Sequence, residues 1–202
     1  IAEFKREVLE TLRQPLEEKR IKILRERGEY EFPAEFLLVA AMNPCPCGYY
    51  PDKNRCQCTD NQIKKYLNRI SQPLLDRIDI CVEVAKVPYN ALIKEGAEET
   101  SERIRERVIK AREVQKERYK NMGIQTNAFL NAKEIKDFCL IDDECEKIME
   151  QAFVKMNLTA RSYNKVLCVA RTIADLEGKE SIEKKHLREA LSYRSMNQKY
   201  WR

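Results

Sequence analysis

Residues 36–50 read FLLVAAMNPCPCGYY, and two unlike signals meet in them. Phe36 to Met42 is a continuous apolar run bounded by polar residues, the pattern of a strand buried on both faces of a sheet. Asn43 and Pro44 break it, and Cys45 and Cys47 follow at once. Cys56 and Cys58 repeat the Cys-x-Cys spacing, so four cysteines fall in a loop over roughly residues 44–60. A polar amide at the end of a buried strand needs a partner, because burying it unpaired is costly. In open α/β sheets such strand ends are where ligands sit. The plainer alternative is a turn, which Asn-Pro starts readily.

On the N-terminal side, Phe4, Val8, Leu9, Leu12 and Leu16 recur at helical spacing over residues 2–19, with Pro15 expected to end or kink that helix near Gln14. IKILRERGEYEF, residues 21–32, reads as a β-hairpin turning at Gly28. On the C-terminal side, a helix is expected from about Asp60 to Ser71, with Ile63, Tyr66, Leu67 and Ile70 on one side. A second strand is expected at Ile80 to Val84. GAEETSER, residues 96–103, looks like a linker into a charged helix at about 101–120. Beyond Gly123 no strand pattern remains. Asn131 with Glu134 suggests a capping box, Asp142 or Asp143 opens a further helix, and Thr159 caps a third. That third helix carries Tyr163, Val166, Leu167, Ala170, Ile173 and Ala174 on one stripe and ends at Gly178; Ser181 is expected to start a fourth. The expectation is a mixed α/β part over 1–86, a linker and charged helix over 87–123, and an all-α part over 124–202, mostly helical overall.

Composition bounds the functional classes. The 202 residues are 43% hydrophobic and 35% charged, with five glycines and seven prolines, which describes a soluble, helix-rich globular chain. No apolar run approaches the ~20 residues that span a membrane, and no signal peptide is evident. A net charge of +5 permits nucleic acid as a partner without requiring it. With no secretory signal, the eight cysteines point to a reducing, cytoplasmic setting, which favours metal over disulfides for the cluster. The chain begins at Ile1 already inside an amphipathic pattern, and it reads as a piece of a longer protein.

Several residues are candidates for chemistry. Four thiolates at Cys45, Cys47, Cys56 and Cys58 suit tetrahedral zinc; free thiols or oxidation-dependent disulfides are the alternatives. Arg77, between Asp76 and Asp79, is either half of a local surface ion pair or an arginine aimed at an anion, since its planar fork suits phosphate oxygens. Arg161 falls in the first turn of the helix capped by Thr159. A cation there is slightly unfavourable unless an anion is near, and phosphate would satisfy both the helix and the arginine. Arg25 and Arg27 stand at the hairpin tip, where a phosphodiester backbone or plain solvent would suit them. In the charged helix, Glu102, Glu106, Glu113 and Glu117 interleave with the basic residues, the mark of a solvated face.

Taken together, FKREVLETLRQPLE, FPAEFLLVAAMNPCPCGYY, CQCT, NRISQPLLDRIDICVEV, LTARSYNKVLCVARTIADLEG and HLREALSYR resemble the magnesium-chelatase-like AAA+ ATPases of the ComM/YifB type. The resemblance runs over nearly the whole chain. It implies a partial AAA+ core with a pre-sensor-1 hairpin, followed by a helical lid. It implies that Asn43 is the sensor-1 residue, Arg77 the arginine finger, Arg161 the sensor-2 residue, and Arg25 and Arg27 DNA contacts on a pore hairpin. ATP and Mg²⁺ would be the cofactors, with a structural Zn²⁺ as a further one. The partners would be DNA and identical subunits in a hexameric ring, with no membrane. The implied activity is an ATP-driven motor on DNA, of branch-migration or helicase type, in recombination or natural transformation. A chelatase motor for metal insertion into a porphyrin, and a non-catalytic zinc-bearing module binding nucleic acid or protein, are the alternatives. The chain holds no G-x-x-x-x-G-K-S/T loop and no apolar run ending in Asp-Glu. In the family these precede IAEFKREVLE, so residues 1–202 alone are expected to be inactive as an ATPase.

Overall fold

The computed structural model describes residues 1–85, 87, 89 and 99–201. About half of the chain is helical, and the sheet among the described residues is a single two-stranded one. The chain divides into two compact units, Ile1–Ile78 with Asn197–Arg202, and Asp79–Met196. Of the linker expected at residues 96–103, residues 96–98 lie outside the described residues, and residues 101–103 already belong to the helix that Thr100 caps.

In the first unit, α1 (Arg6–Thr11) and α2 (Arg13–Glu18) replace the single helix expected over 2–19. The break falls at Leu12 and not near Gln14, and proline chemistry explains the position. Pro15 lacks the N–H that would bond the carbonyl four residues back, and its ring crowds that carbonyl. That residue is Thr11, where α1 stops. Pro15 itself sits in the first turn of α2, where a missing N–H costs nothing.

Strands β1 (Arg20–Arg25) and β2 (Gly28–Pro33) form the expected hairpin with a two-residue connection. Gly28 takes φ +146°, a value that side chains disfavour. The register pairs Ile21 with Phe32 and Ile23 with Tyr30 on one face, and Lys22 with Glu31 on the other. Lys22 bonds Glu29 at 3.1 Å and Arg20 bonds Glu31 at 3.1 Å, so opposite charges stabilise the second face. Every residue of both strands is exposed.

Two expected strands do not form. Phe36–Met42 and Ile80–Val84 carry no regular structure and join no ladder, and Leu37 and Val39 are 88% and 83% exposed. A central strand needs hydrogen-bonding neighbours on both sides, and no described segment supplies them to either run. Only the hairpin, whose partner is two residues away, meets that need within the chain.

Thr59 caps α3 (Asp60–Leu67) through a full capping box with Gln62, and Ser71 caps the short α4 (Gln72–Leu75). The core of the first unit joins Ala2, Leu9, Ile63, Tyr66, Leu67, Ile70, Leu74 and Leu75 with Cys45. Trp201 adds an indole N–H donated to the Leu67 carbonyl at 3.0 Å.

The regular structure of the second unit, among its described residues, is all helical. It contains α5 (Ser101–Arg118), a 3₁₀ turn at Asn127–Phe129, α6 (Ala132–Phe138), α7 (Asp143–Lys155), α8 (Ala160–Leu176) and α9 (Lys184–Tyr200) to Met196. Local caps set the boundaries. Asn131 and Glu134 form the capping box of α6, Asp142 accepts from the Cys145 amide at 2.8 Å, and Thr159 boxes with Ser162. Gly178 at φ +68° closes α8, and the Lys179 amide bonds Ala174 O at 2.8 Å, a Schellman ending. Helix α9 starts three residues later than Ser181, at Lys184. There the His186 ring accepts from the Glu183 amide at 2.9 Å, so His186 supplies the local bond expected of Ser181. The α8 stripe of Val166, Leu167, Ala170 and Ile173 packs with Met149, Cys145, Leu187 and Tyr119.

A buried carboxylate ties this unit together. Asp175 accepts from Arg118 at 2.5 and 3.0 Å, from Arg171 at 3.1 Å and from Asn127 at 2.8 Å. Arg171 also donates to the carbonyls of Glu180 and Lys179, at 2.6 and 2.5 Å. The hydrogen bond to Asp175 raises the Arg118 pKa further above its ordinary value, so the guanidinium stays charged. Removing the anion leaves two arginines with no counter-charge in the interior. Asp175→Ala should therefore cost about 3–5 kcal/mol in urea unfolding. A loss under about 1 kcal/mol would show that the arginines find other acceptors.

Candidate functional site

The cysteine loop is the most specific chemical feature of the first unit. Tight turns build it, with the Gly48 amide on Cys45 O at 3.0 Å and the Cys56 amide on Asp52 O at 2.8 Å. All four sulfurs lie within 4.8 Å of one another. Cys45 Sγ is 3.3 Å from Cys47 Sγ and 3.7 Å from Cys56 Sγ, and Cys47 to Cys56 is 3.5 Å. A disulfide needs about 2.05 Å, so these are separate thiols. A tetrahedral ion with metal–sulfur bonds of about 2.3 Å sets its sulfurs about 3.8 Å apart, close to the observed spacing.

Backbone groups surround the sulfurs. The Tyr50 amide donates to Cys45 Sγ at 3.4 Å. A backbone hydrogen bond at Tyr49, helped by the Cys45 sulfur and the backbone at Gln57, pulls the Cys47 thiol down to about 6. The backbone at Cys58 favours a Cys56 thiolate, but burial and the Cys47 and Cys45 sulfurs outweigh it, pushing Cys56 up to about 12. Cys58 is raised for similar reasons, against the pull of the Cys47 backbone. Four anionic sulfurs this close repel, so without a cation they cannot all ionise. The donor set and spacing fit a soft divalent ion.

Asn43 is exposed and stands at the mouth of this loop. The Tyr66 ring lies beside its backbone, and Tyr66 is itself buried in the core. Gly48, at φ +80°, turns its bare Cα toward the Asn43 amide, with only 3.7 Å from the place of a Cβ to Asn43 Cγ. The Asn43 side-chain amide thus lies against Gly48, while the residue as a whole stays exposed.

Arg77 does not pair with either flanking aspartate. Its Nε donates to Arg13 O at 3.0 Å, its Nη1 to Pro73 O at 2.7 Å, and its Nη2 to the Glu17 carboxylate. Asp76 instead accepts from Gln72, and Asp79, in the second unit, accepts from Lys165. The Arg77 side chain is only 10% exposed.

Arg25 ends β1 and Arg27 sits in the hairpin turn, both exposed. Arg161 belongs to the second unit, where it is exposed and second in the seventeen-residue α8, as the Thr159 cap implied. The first unit therefore brings Asn43 beside the cysteines and seats Arg77 on α2. Sequence reasoning overlooked Tyr66, Gly48 and Glu17 as neighbours of these groups. For Glu17, 60 residues from Arg77, no local pattern points to the pairing.

Two family models match successive parts of the chain. Residues 1–92 match the family described as magnesium chelatase, subunit ChlI, and residues 98–194 match magnesium chelatase, subunit ChlI C-terminal. The chain is 46% identical over 197 residues, 97% of its length, to competence protein ComM of Haemophilus influenzae. It is 39% identical over 198 residues, 98% of its length, to the uncharacterized protein YifB of Escherichia coli. A Mycobacterium tuberculosis protein is 34% identical over 96% of the chain. In each case the chain spans 38% of the relative's length.

Gly48 offers a direct check of the loop geometry. A Cβ there meets no hard obstacle, but φ +80° is strained for any L side chain. Gly48→Ala should cost about 1–2 kcal/mol in urea unfolding of the first unit. No measurable loss would mean the loop takes another turn.

Proposed function

Since the chain belongs to the magnesium chelatase ChlI family, we propose that residues 1–202 supply the sensor and lid parts of an AAA+ ring motor that hydrolyses ATP. The observation that carries this reading is Arg161. It is an exposed cation in the first turn of a long capped helix, where the helix dipole disfavours it and a phosphate would reverse the balance. Asn43 supports the reading with an exposed amide seated against Gly48, suited to holding a water or phosphate oxygen. ATP and Mg²⁺ would supply the transferable phosphoryl group and its charge neutralisation. The phosphate-cradling loop is not among residues 1–202 and would come from elsewhere in the natural gene product.

The track is proposed to be DNA. The hairpin β1–β2 presents Arg25 and Arg27 on an exposed tip, suited to phosphodiester contact from within a ring of identical chains, six in the family's manner. The relative named for competence fits a role in handling incoming DNA. The family description itself favours a second reading, a motor driving magnesium insertion into a porphyrin.

The cysteine loop is proposed to hold one structural Zn²⁺ through Cys45, Cys47, Cys56 and Cys58. The ion would replace sulfur–sulfur repulsion with four bonds and close a loop that contributes little apolar core of its own.

Two measurements test these readings. The natural gene product that carries residues 1–202 should hydrolyse ATP, faster with branched DNA, and Arg161→Ala should weaken nucleotide binding about ten-fold or more. Unchanged affinity in Arg161→Ala would remove the lid reading, and hydrolysis indifferent to DNA would favour the chelatase one. Elemental analysis of freshly reduced protein should find one zinc per chain, lost in Cys45→Ser. Its absence from reduced wild-type protein would leave the cluster as thiols.

A further inference from the structure

We propose that Glu17 is the positioning residue of Arg77, holding its guanidinium in the orientation in which it meets a phosphate bound by a neighbouring subunit. The inference rests on reading Arg77 as the finger of the proposed motor. It names a residue on a different helix, outside the motif that carries Arg77.

The geometry is that of a cradle. Helix α2 presents two acceptors one turn apart, the Arg13 carbonyl and the Glu17 carboxylate, and Arg77 bonds both. The Pro73 carbonyl, in α4, takes the third bond at 2.7 Å. Three of the five guanidinium N–H groups are engaged, which fixes the plane and leaves two N–H groups for a ligand. The Nε bond is partly buried and the bonds from Nη1 and Nη2 lie nearer the surface, so the little of the side chain that stays exposed is at its terminal nitrogens.

Chemistry explains why such a cradle would matter. A free arginine carries about 2 kcal/mol of rotamer entropy, which a finger would lose on each engagement. Carbonyls hold the guanidinium without adding negative charge. The carboxylate makes the one charge-assisted bond, and it sets the rotation of the terminal nitrogens. Glu17 is an amphipathic-helix residue with no apolar role, and it is half of the only ion pair reaching Arg77 among the described residues. Its neutral isostere keeps the shape and weakens the hold.

The test is the ATPase activity of the natural gene product that carries residues 1–202, in wild-type, Glu17→Gln, Arg77→Ala and doubly substituted forms. Glu17→Gln should lower kcat about ten-fold with KM for ATP unchanged, as misorientation of a group acting only at the reacting phosphate requires. The double variant should be no slower than Arg77→Ala alone, because Glu17 acts only through that arginine. A residue that merely stabilised the fold would lower thermal stability and add its defect to that of Arg77→Ala. If Arg77→Ala abolishes turnover while Glu17→Gln has unchanged or raised kcat, the positioning role is wrong and the finger stands. If Arg77→Ala turns over normally, the finger reading itself fails, and the positioning role with it.

Discussion

Four sulfur atoms within 4.8 Å of one another impose a constraint that the rest of the first unit is arranged around. Each would be anionic as a ligand, and together they cannot be anionic without a cation. The backbone answers part of that demand by turning amides toward the sulfurs, and these turns place Gly48 against Asn43. Cys45 is at once a ligand candidate and a fully buried member of the core with Leu9, Tyr66 and Leu67. Whatever neutralises the loop is therefore coupled through one side chain to the packing of α1 and α3. Asn43 inherits its position from both.

Legibility followed the range of the interactions. Caps are decided within four residues, and Asn131, Asp142 and Thr159 were all readable as such. The hairpin was equally plain, because its partner strands are separated by two residues. The apolar run at 36–42 was misleading because burial on two faces is a property of a whole sheet, and no other segment here completes one. Pro15 was readable as a breaker, yet its effect is exerted four residues upstream, so the break appeared at Thr11–Leu12. Within α8, Arg171 and Asp175 stand one turn apart and suggest a pair, while Arg118 reaches the same carboxylate from 57 residues away. Long-range polar pairs leave no periodic trace.

The same distinction divides the candidate site. Asn43, the cysteines and Arg161 were found from their local settings, an apolar run broken by an amide, a repeated spacing and a helix cap. Arg77 was found too, but its surroundings were not. Between two aspartates it suggested a surface ion pair; the fold gives it a helix face with one carboxylate and two carbonyls. An arginine held by backbone oxygens keeps most of its positive field, because carbonyl dipoles orient a charge without cancelling it. Glu17 supplies the one counter-charge, while the Arg13 and Pro73 carbonyls set the plane of the guanidinium.

The unpaired run beside the cysteine loop has a consequence for how the chain behaves in company. From Phe36 to Pro51 there is no charged residue, and Leu37 and Val39 stand almost fully in water on a backbone that pairs with no described strand. Such a segment offers a row of open amides and carbonyls to any strand of similar make. Glu35 and Asp52 flank it as gatekeepers, and nothing between them repels a second copy. Attraction of this kind grows with concentration and is little affected by ionic strength, since it draws on hydrogen bonds and apolar area. Fragments ending near these residues will be limited in solubility by one stretch of backbone, whatever their net charge.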